Sequence, residues 1–557
     1  HYNLGSVYQK SGLYDEAIVS YRKAIAVRHD YADAYNNLAV LLQDIGRPDE
    51  ALECCRQALK IAPESANAHN TLGSLLQNLG QLEEAASCYR KALVITPDFA
   101  RAHCNLGSVL RNLGRFGDAV DHLNRALELK PDYIEAHSNR LFLLNYLGEQ
   151  PSSILENTRR YGELATRHAR PYTAWNGSMD PERRLNVGLV SGDLMNHPVG
   201  YFLESVLSAL ATQAAGRIDW FAYPTQLRSD ALTRRLQALC DGWRPAVGLS
   251  DERMAKQIHD DGIDILIDLS GHTAHNRLQV FAWKPAPVQA SWLGYFATTG
   301  VEAIDYWIAD PWTVPAGEEK NFIETVWRLP ETYLCFTEPE YDIAINPLPA
   351  AATEAVTFGC FNHLAKMSDA VVALWAQVLH ATPSSRLFLK TRQLGEESMR
   401  QHTLERYAAH GITQERLRLE GASPRAELLG AYGQIDIALD PFPYPGGTTS
   451  VESLWMGVPV LSLKGDCFLS HIGESILHNA GLEDWIASDC YDYVARAKGH
   501  AAELESLAAL RKELRTKVLA SPLFDAGRFA QHFEQALRGM WVKRCAQQTV
   551  PKASNLS

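Results

Sequence analysis

The sequence predicts a helical repeat array followed by two doubly wound α/β halves, and three observations carry that expectation. Leu4, Leu38, Leu72 and Leu106 recur at a spacing of 34 residues through the first third of the chain. Beyond about Asp180 that period stops, and short apolar runs alternate with helix-like stretches, twice over. A looser segment, about Glu338–Ala355, divides the two series. At 557 residues the chain is also too long for one hydrophobic core.

The repeats come first. Gly12, Gly46, Gly80, Gly114 and Gly148 keep the register, as do Ala17, Ala51, Ala85 and Ala119, and Ala24, Ala58, Ala92 and Ala126. Pro63, Pro97 and Pro131 close three units. This period, with Asn-Leu-Gly in one helix and Glu-Ala opening the next, is the tetratricopeptide pattern. Small residues let the paired helices approach, and Pro cannot continue a helix. The fifth unit decays, with Arg140 in place of the Leu and Ser153 in place of the Ala, and is expected to dock onto the α/β part of the chain. Asn3, Asn37, Asn105 and Asn139 share one slot, with Thr71 as the exception. They either line the concave face and grip an extended peptide or bond helix to helix. Such an array binds other proteins and has no chemistry of its own.

A Pro- and Gly-bearing linker, residues 170–181, leads to a strand at Leu185–Val190. Further strands are expected at Ile218–Ala222, Ile263–Leu269, Val288–Leu293 and Ala303–Ile308, with helices such as Val199–Thr212 and Ala231–Cys240 between them. The second series has strands at Val356–Phe361, Arg386–Lys390, Leu417–Glu420, Ile435–Leu439 and Val460–Leu463. Two more helices are expected at Ala501–Ala520 and Phe529–Val542, and the last residues read as disordered. The organisation is therefore repeats over 1–150, a transitional helix and linker over 151–184, and Rossmann-like domains over 185–340 and 355–525. A C-terminal helix and tail occupy 526–557. Two such domains leave a cleft at the C-terminal ends of both sheets.

The totals exclude some classes. A net charge of −12 with no basic block argues against nucleic acid, and no apolar run approaches the roughly 20 residues that span a bilayer. Ten scattered cysteines without a Cys-x-x-Cys pair read as reduced thiols of a cytoplasmic protein, with no zinc site. His1 is not an initiator Met and falls inside a repeat, the pattern of a trimmed chain, so a missing targeting segment carries little weight.

The stretch with most chemistry is Asp440-Pro-Phe-Pro-Tyr-Pro-Gly-Gly-Thr-Thr-Ser-Val-Glu452. It comes directly after a strand, its prolines forbid regular structure, and Thr448 and Thr449 stand where a helix can start. Free N–H groups, hydroxyls and the positive dipole end would then converge on a phosphate. The plain alternative is a Thr-capped connection. His197 lies past the first strand of the first half, as a general base, an orienting group or a local cap. Lys366, with Asn362 and His363 beside it, sits at the turn after the first strand of the second half and suits a departing pyrophosphate. His272, Thr273 and His275 lie at another strand end, as ligand contacts or helix caps, with no third ligand to make a metal site.

Tetratricopeptide repeats followed by Gly-Asp-Leu-Met-Asn-His-Pro198, by the run Pro285–Tyr295, by Phe-Asn-His-Leu-Ala-Lys366 and by the run Gly446–Pro459 resemble the O-linked N-acetylglucosamine transferases. The likeness covers nearly the whole chain, and it looks like a bacterial member because the large insertion of animal enzymes is missing. The resemblance implies a GT-B fold and inverting, metal-independent transfer from a nucleotide sugar to protein Ser or Thr. It also implies that His197 is the active-site His and that Lys366, Thr448 and Thr449 hold the donor diphosphate. His363 occupies the site of a donor-contacting Gln, Glu452 that of a ribose-contacting Asp and Arg425 that of a Lys, with the Ser423 backbone near the base. Gly447 stands where animal enzymes have His.

The expected function is transfer of N-acetylglucosamine from UDP-GlcNAc to Ser or Thr of a protein lying along the repeat groove, with no cofactor. Glu452, the Gly271-His-Thr273 turn and Phe-Pro-Tyr-Pro445 also look like the plant Spindly branch, which implies GDP-fucose as the alternative donor. An inactive repeat scaffold is the second alternative. No nucleic-acid or membrane partner is expected. Arrays of this kind can pair through their convex faces, which makes a homodimer one of the candidate assemblies.

Overall fold

A computed structural model describes residues 1–353 and 355–549; the tail read as disordered lies outside the described residues. Ten helices form five antiparallel pairs. The inner and outer helices alternate as α1 (Tyr2–Lys10), α2 (Tyr14–Val27), α3 (Ala32–Asp44), α4 (Pro48–Ile61), α5 (Ala66–Leu79) and α6 (Leu82–Ile95). They continue as α7 (Ala100–Asn112), α8 (Phe116–Leu129), α9 (Ile134–Leu147) and α10 (Pro151–Thr166). The register glycines end each inner helix at φ between +66° and +79°, where a side chain would be strained. Ala17, Ala51, Ala85 and Ala119 are fully buried where the helices cross.

The asparagine slot bonds helix to helix at three positions. Asn37 Nδ2 donates to the Tyr2 hydroxyl at 2.8 Å, Asn105 Nδ2 to Asn70 Oδ1 at 3.0 Å, and Asn139 Nδ2 to Cys104 Sγ at 3.3 Å.

The first α/β half runs β1 (Leu185–Ser191), α11 (Pro198–Gln213), β2 (Ile218–Pro224), α12 (Ala231–Ala238), β3 (Gly242–Trp243) and α13 (Asp251–Asp260). It continues with β4 (Ile265–Asp268), α14 (Leu278–Ala282), β5 (Val288–Ser291), β6 (Tyr306–Ala309) and β7 (Thr325–Arg328). The second half runs α15 (Ala350–Thr353), β8 (Thr357–Cys360), α16 (Asp369–Ala381), β9 (Arg386–Lys390), α17 (Glu397–Ala408), β10 (Leu417–Glu420) and α18 (Arg425–Ala431). Then come β11 (Ile437–Leu439), α19 (Thr448–Trp455), β12 (Val460–Leu463), α20 (Phe468–Ala480), β13 (Ile486–Ala487), α21 (Cys490–Ala502), α22 (Leu504–Leu519) and α23 (Ala526–Thr549).

Both sheets are parallel, ordered β3-β2-β1-β4-β5-β6-β7 and β10-β9-β8-β11-β12-β13. Strand order reverses between β1 and β4 and between β8 and β11, and at such switch points the chain leaves a crevice for ligand. The central strands fall where their apolar runs place them. β3 and β13, of two residues each, and the half-exposed β7 are edge strands too short or too polar to stand out in the sequence.

The repeats do not stand apart from the α/β module. The fifth pair docks as expected: Ser138 Oγ meets His272 Nδ1 at 3.0 Å, and Asn145 Nδ2 donates to the Tyr295 hydroxyl at 3.0 Å. Beyond that, the space beside Gly80, Gly114 and Gly148 is filled by Arg392, Ala365 and Pro443. Those residues come after β9, β8 and β11, three neighbouring strands, so successive repeat turns track along the strand ends of the second sheet. Arg392 donates to the Leu79 carbonyl at the C-terminal end of α5, where a cation suits the helix dipole.

The last helix crosses back to the first half. Phe533 of α23 packs on Trp292 with ring centroids 4.6 Å apart, and Trp541 Nε1 donates to the Asp180 carbonyl at 3.0 Å. No helix among the described residues is long and apolar enough to cross a membrane, and all ten cysteines are free.

Candidate active site

The turn after β11 is built around Asp440. Its Oδ1 accepts from the Gly446 amide at 2.7 Å and from Ser450 Oγ at 3.2 Å, and its Oδ2 from Ser462 Oγ at 3.1 Å. Burial raises this carboxyl above the usual range, and these donors with Lys366 pull it back. At Gly446 a Cβ would collide with the Ser450 and Thr449 hydroxyls, so only glycine lets the turn close this tightly. Helix α19 then opens at Thr448 with no side chain capping its first turn. Thr449 Oγ1 donates to Asn362 Oδ1 at 2.9 Å. Thr448 Oγ1 is buried and has no partner in the protein. A helix N-terminus and an unpartnered hydroxyl on a residue that lines the cavity are groups that an anion satisfies.

The turn after β8 supplies the charge. Lys366 Nζ donates to the Pro445 carbonyl at 2.8 Å, reaches Asn362 Oδ1 at 3.4 Å and lies 4.0 Å from the Tyr444 ring centroid. Burial lowers its pKa from the usual lysine range, with Asp440 opposing that shift. His363 caps the same turn, its Nδ1 accepting from the Ala365 amide at 3.2 Å. Desolvation in the cleft, with the charges of Lys366 and Arg111 nearby, lowers its pKa from the ordinary imidazole value. A neutral ring accepting on Nδ1 carries its proton on Nε2, so His363 offers the cavity a donor, as a Gln would.

His197 forms the facing wall. It caps α11, with Nδ1 accepting from the Val199 amide at 3.4 Å, and Asp193 Oδ1 lies 3.7 Å from the same nitrogen. Burial lowers its pKa and Asp193 opposes the shift. The cap and the cleft position are thus one arrangement, since capping with Nδ1 leaves Nε2 for a ligand.

A cavity of about 490 Å³ gathers His197, His363, Lys366, Gly447, Thr448 and Thr449. A Cβ on Gly447 would meet nothing within 4 Å, so the slot beside the phosphate turn is open. The other expected ligand contacts lie at or beyond the edge of this cavity. His272 and Thr273 border the cavity, but both ring nitrogens of His272 are engaged, by Ser138 Oγ and by the Thr299 carbonyl at 2.9 Å. Burial pushes that imidazole down to about 3, and it serves as the joint between the repeats and the first sheet. Thr273 Oγ1 donates to the Ser270 carbonyl at 2.8 Å. Arg425 and Glu452 pair with each other, the guanidinium lying 4.3 Å from the Tyr201 ring centroid of the first half. That pair and Ser423, whose buried Oγ is unpartnered, lie outside the cavity walls.

Apart from Asn139, which belongs to the asparagine slot, sequence reasoning missed the wall given by the repeats. Gln77, Ser108, Arg111, Asn112, Asn139 and Phe142 line the same cavity. The signal for Arg111 lay in the register: Gln9, Gln43 and Gln77 hold that slot in the earlier repeats. Asp193 and Tyr444, also on the walls, sat unmarked inside motifs already singled out. Among the described residues no cluster of three His, Cys, Asp or Glu could hold a metal.

Residues 158–338 and 347–533 match the family described as glycosyl transferase family 41, and three overlapping segments within 1–132 match tetratricopeptide repeats. The probable UDP-N-acetylglucosamine–peptide N-acetylglucosaminyltransferase SPINDLY of Petunia hybrida is 37% identical over 411 residues, 73% of this chain and 44% of that protein. The UDP-N-acetylglucosamine–peptide N-acetylglucosaminyltransferase of Caenorhabditis elegans is 24% identical over 503 residues, 69% of this chain and 42% of that one. The chain therefore spans less than half the length of these curated relatives. The solved structure of a mutant O-GlcNAc transferase from Thermobaculum terrenum is 36% identical, covering 93% of this chain and 98% of that one with a TM-score of 0.86.

Proposed function

The chain belongs to glycosyl transferase family 41, and from that premise we propose that it transfers N-acetylglucosamine from UDP-GlcNAc to Ser or Thr of a protein substrate. The observation that carries the reading is the phosphate seat: the unpartnered Thr448 hydroxyl at the open start of α19, beside the half-buried Lys366 ammonium. The names of the relatives favour UDP-GlcNAc as the donor. The acceptor enters from the repeat side, along the inner helices that form the far wall.

In this scheme the acceptor hydroxyl attacks the anomeric carbon in line, its C–O bond forms as the bond to the diphosphate breaks, and configuration inverts. The charge that builds on the departing UDP meets Lys366, the Thr448 and Thr449 hydroxyls and the first-turn amides of α19, with no metal required. His197, accepting on Nδ1, carries its proton on Nε2 and donates a hydrogen bond into the cavity rather than removing a proton. The acceptor's proton then passes to a donor phosphate oxygen. The free thiols fit work in the cytoplasm, and a homodimer through the convex face of the repeats belongs to the same proposal.

Calorimetric titration with UDP-GlcNAc, UDP and GDP-fucose tests the donor. Saturable binding of the two uridine compounds is expected. Preference for GDP-fucose would move the enzyme to fucosyl transfer, and failure to bind any of the three would make the chain a scaffold.

A further inference from the structure

Resting on the glycosyltransferase reading, we infer that Arg111 forms a subsite on the acceptor side of the cavity for an acidic residue of the protein substrate. Arg111 is only 8% exposed, yet no carboxylate pairs with it. Its Nε and Nη2 share Asn112 Oδ1 at 3.4 and 3.2 Å, and Nη2 reaches Ser108 Oγ at 3.4 Å, all long contacts to neutral groups. Nη1 donates to nothing among the described residues. The guanidinium carbon sits 4.4 Å from the Phe142 ring centroid, which fixes the planar fork against the cavity wall. Asp193 is the only carboxylate lining the cavity among the described residues, and it faces His197.

The repeat register shows that this arginine is not a structural necessity of its slot. In the first and third repeats the slot is a glutamine that accepts from a tyrosine on the outer helix: Gln9 from Tyr21 at 2.9 Å and Gln77 from Tyr89 at 3.1 Å. In the second, Gln43 donates to Ser74 Oγ at 2.8 Å. In the fourth repeat the outer-helix residue is the apolar, fully buried Leu123, which asks nothing of its partner. Charge thus enters this slot on α7, the middle of the three inner helices that border the cavity. A buried guanidinium without a counter-ion is costly, and a carboxylate received in its fork offsets that cost.

The subsite belongs to the acceptor because of where Arg111 comes from. The donor phosphates have their own cation in Lys366, delivered by the second sheet. Arg111 arrives instead from the repeats, on the inner surface that continues past Gln77 and Asn112 and beside the His363 turn. A protein segment running along that surface towards the anomeric carbon meets Arg111 on the way.

The test uses the whole chain and Ser-containing peptides in which one residue is scanned along the sequence as Asp or Asn. Their affinities are measured by fluorescence anisotropy with and without saturating UDP. At one position the Asp peptide should bind roughly tenfold tighter than its Asn twin, the ordinary worth of a charge-assisted hydrogen bond. Arg111→Gln, the residue native to this slot in three other repeats, should abolish that difference, and Arg111→Lys should keep part of it. An unchanged Asp/Asn ratio in Arg111→Gln overturns the inference, as does a loss of UDP affinity larger than the loss for the Asp peptide. Failure of the glycosyltransferase reading shows separately, as wild-type protein that does not bind UDP.

Discussion

Lys366 donates to the Pro445 carbonyl at 2.8 Å, which ties the turn after β8 to the loop after β11. These are the two strands between which the order of the second sheet reverses. The ammonium therefore has a fixed position beside the start of α19, and burial keeps its charge poorly solvated until an anion arrives. Lys366→Met should lower turnover by about 10²–10³ or more, the usual cost of removing one preorganised group from a transition state. The variant should stay folded, with a modest fall in melting temperature from the lost Pro445 bond and the less compensated Asp440 carboxyl. Transfer assays beside thermal melts decide this, and near-normal turnover would remove Lys366 from the mechanism.

Thr448 and Thr449 are neighbours with opposite predicted behaviour. The Thr448 hydroxyl has no protein partner, so Thr448→Val should leave stability unchanged or slightly raised while weakening UDP binding severalfold. Thr449→Val breaks the 2.9 Å bond to Asn362 and should cost about 1 kcal/mol of stability along with nucleotide affinity. Chemical denaturation paired with calorimetry separates the two. Equal stability losses would mean that the Thr448 hydroxyl has a structural partner after all.

His272 gives the fold a pH dependence with a definite sign. Its imidazole titrates at about 3 in the folded chain, because burial disfavours the charged ring, against an ordinary value near 6.5 when unfolded. Above the unfolded value both states are neutral and the group is silent. As pH falls below about 6.5 the unfolded chain takes up a proton that the folded chain refuses, and stability falls by roughly 1.4 kcal/mol per pH unit until near the folded value. His272→Gln removes that contribution. Stability measured by denaturant melts between pH 6 and 4 should fall less steeply in the variant, and parallel slopes would contradict the assignment.

The parts of the fold legible in sequence were those written by local period. The 34-residue register places the repeat helices up to α9, and the continuous apolar runs of buried parallel strands place β8 to β12 within a residue or two. β3, β7 and β13 were silent because an edge strand of two residues, or one half in water, leaves no run to read. The phosphate turn was legible because glycines, prolines and threonines state their backbone needs in place. The engagement of His272, the Arg425–Glu452 pair and the entry of Arg111 into the cavity were not. Each depends on which distant element lies opposite, and that is set by how five repeats coil back across the strand ends of the second sheet.

Gly447 is where stability and donor choice come apart. Its φ of −109° is negative, as L residues require, and a Cβ there meets nothing within 4 Å. Gly447→His should therefore fold at least as well as the native chain, because replacing glycine at a compatible position trims the freedom of the unfolded state by about 0.4–1 kcal/mol. The new imidazole would enter the cavity at the mouth of the phosphate seat, beside the Thr448 hydroxyl. Its effect should then fall on the nucleotide: a changed affinity for UDP-GlcNAc relative to GDP-fucose, with an unchanged melting temperature. A variant that unfolds would show that the open slot is closed in solution. One that binds both donors as before would place sugar selection elsewhere, on the His197 wall or the repeat side of the cavity.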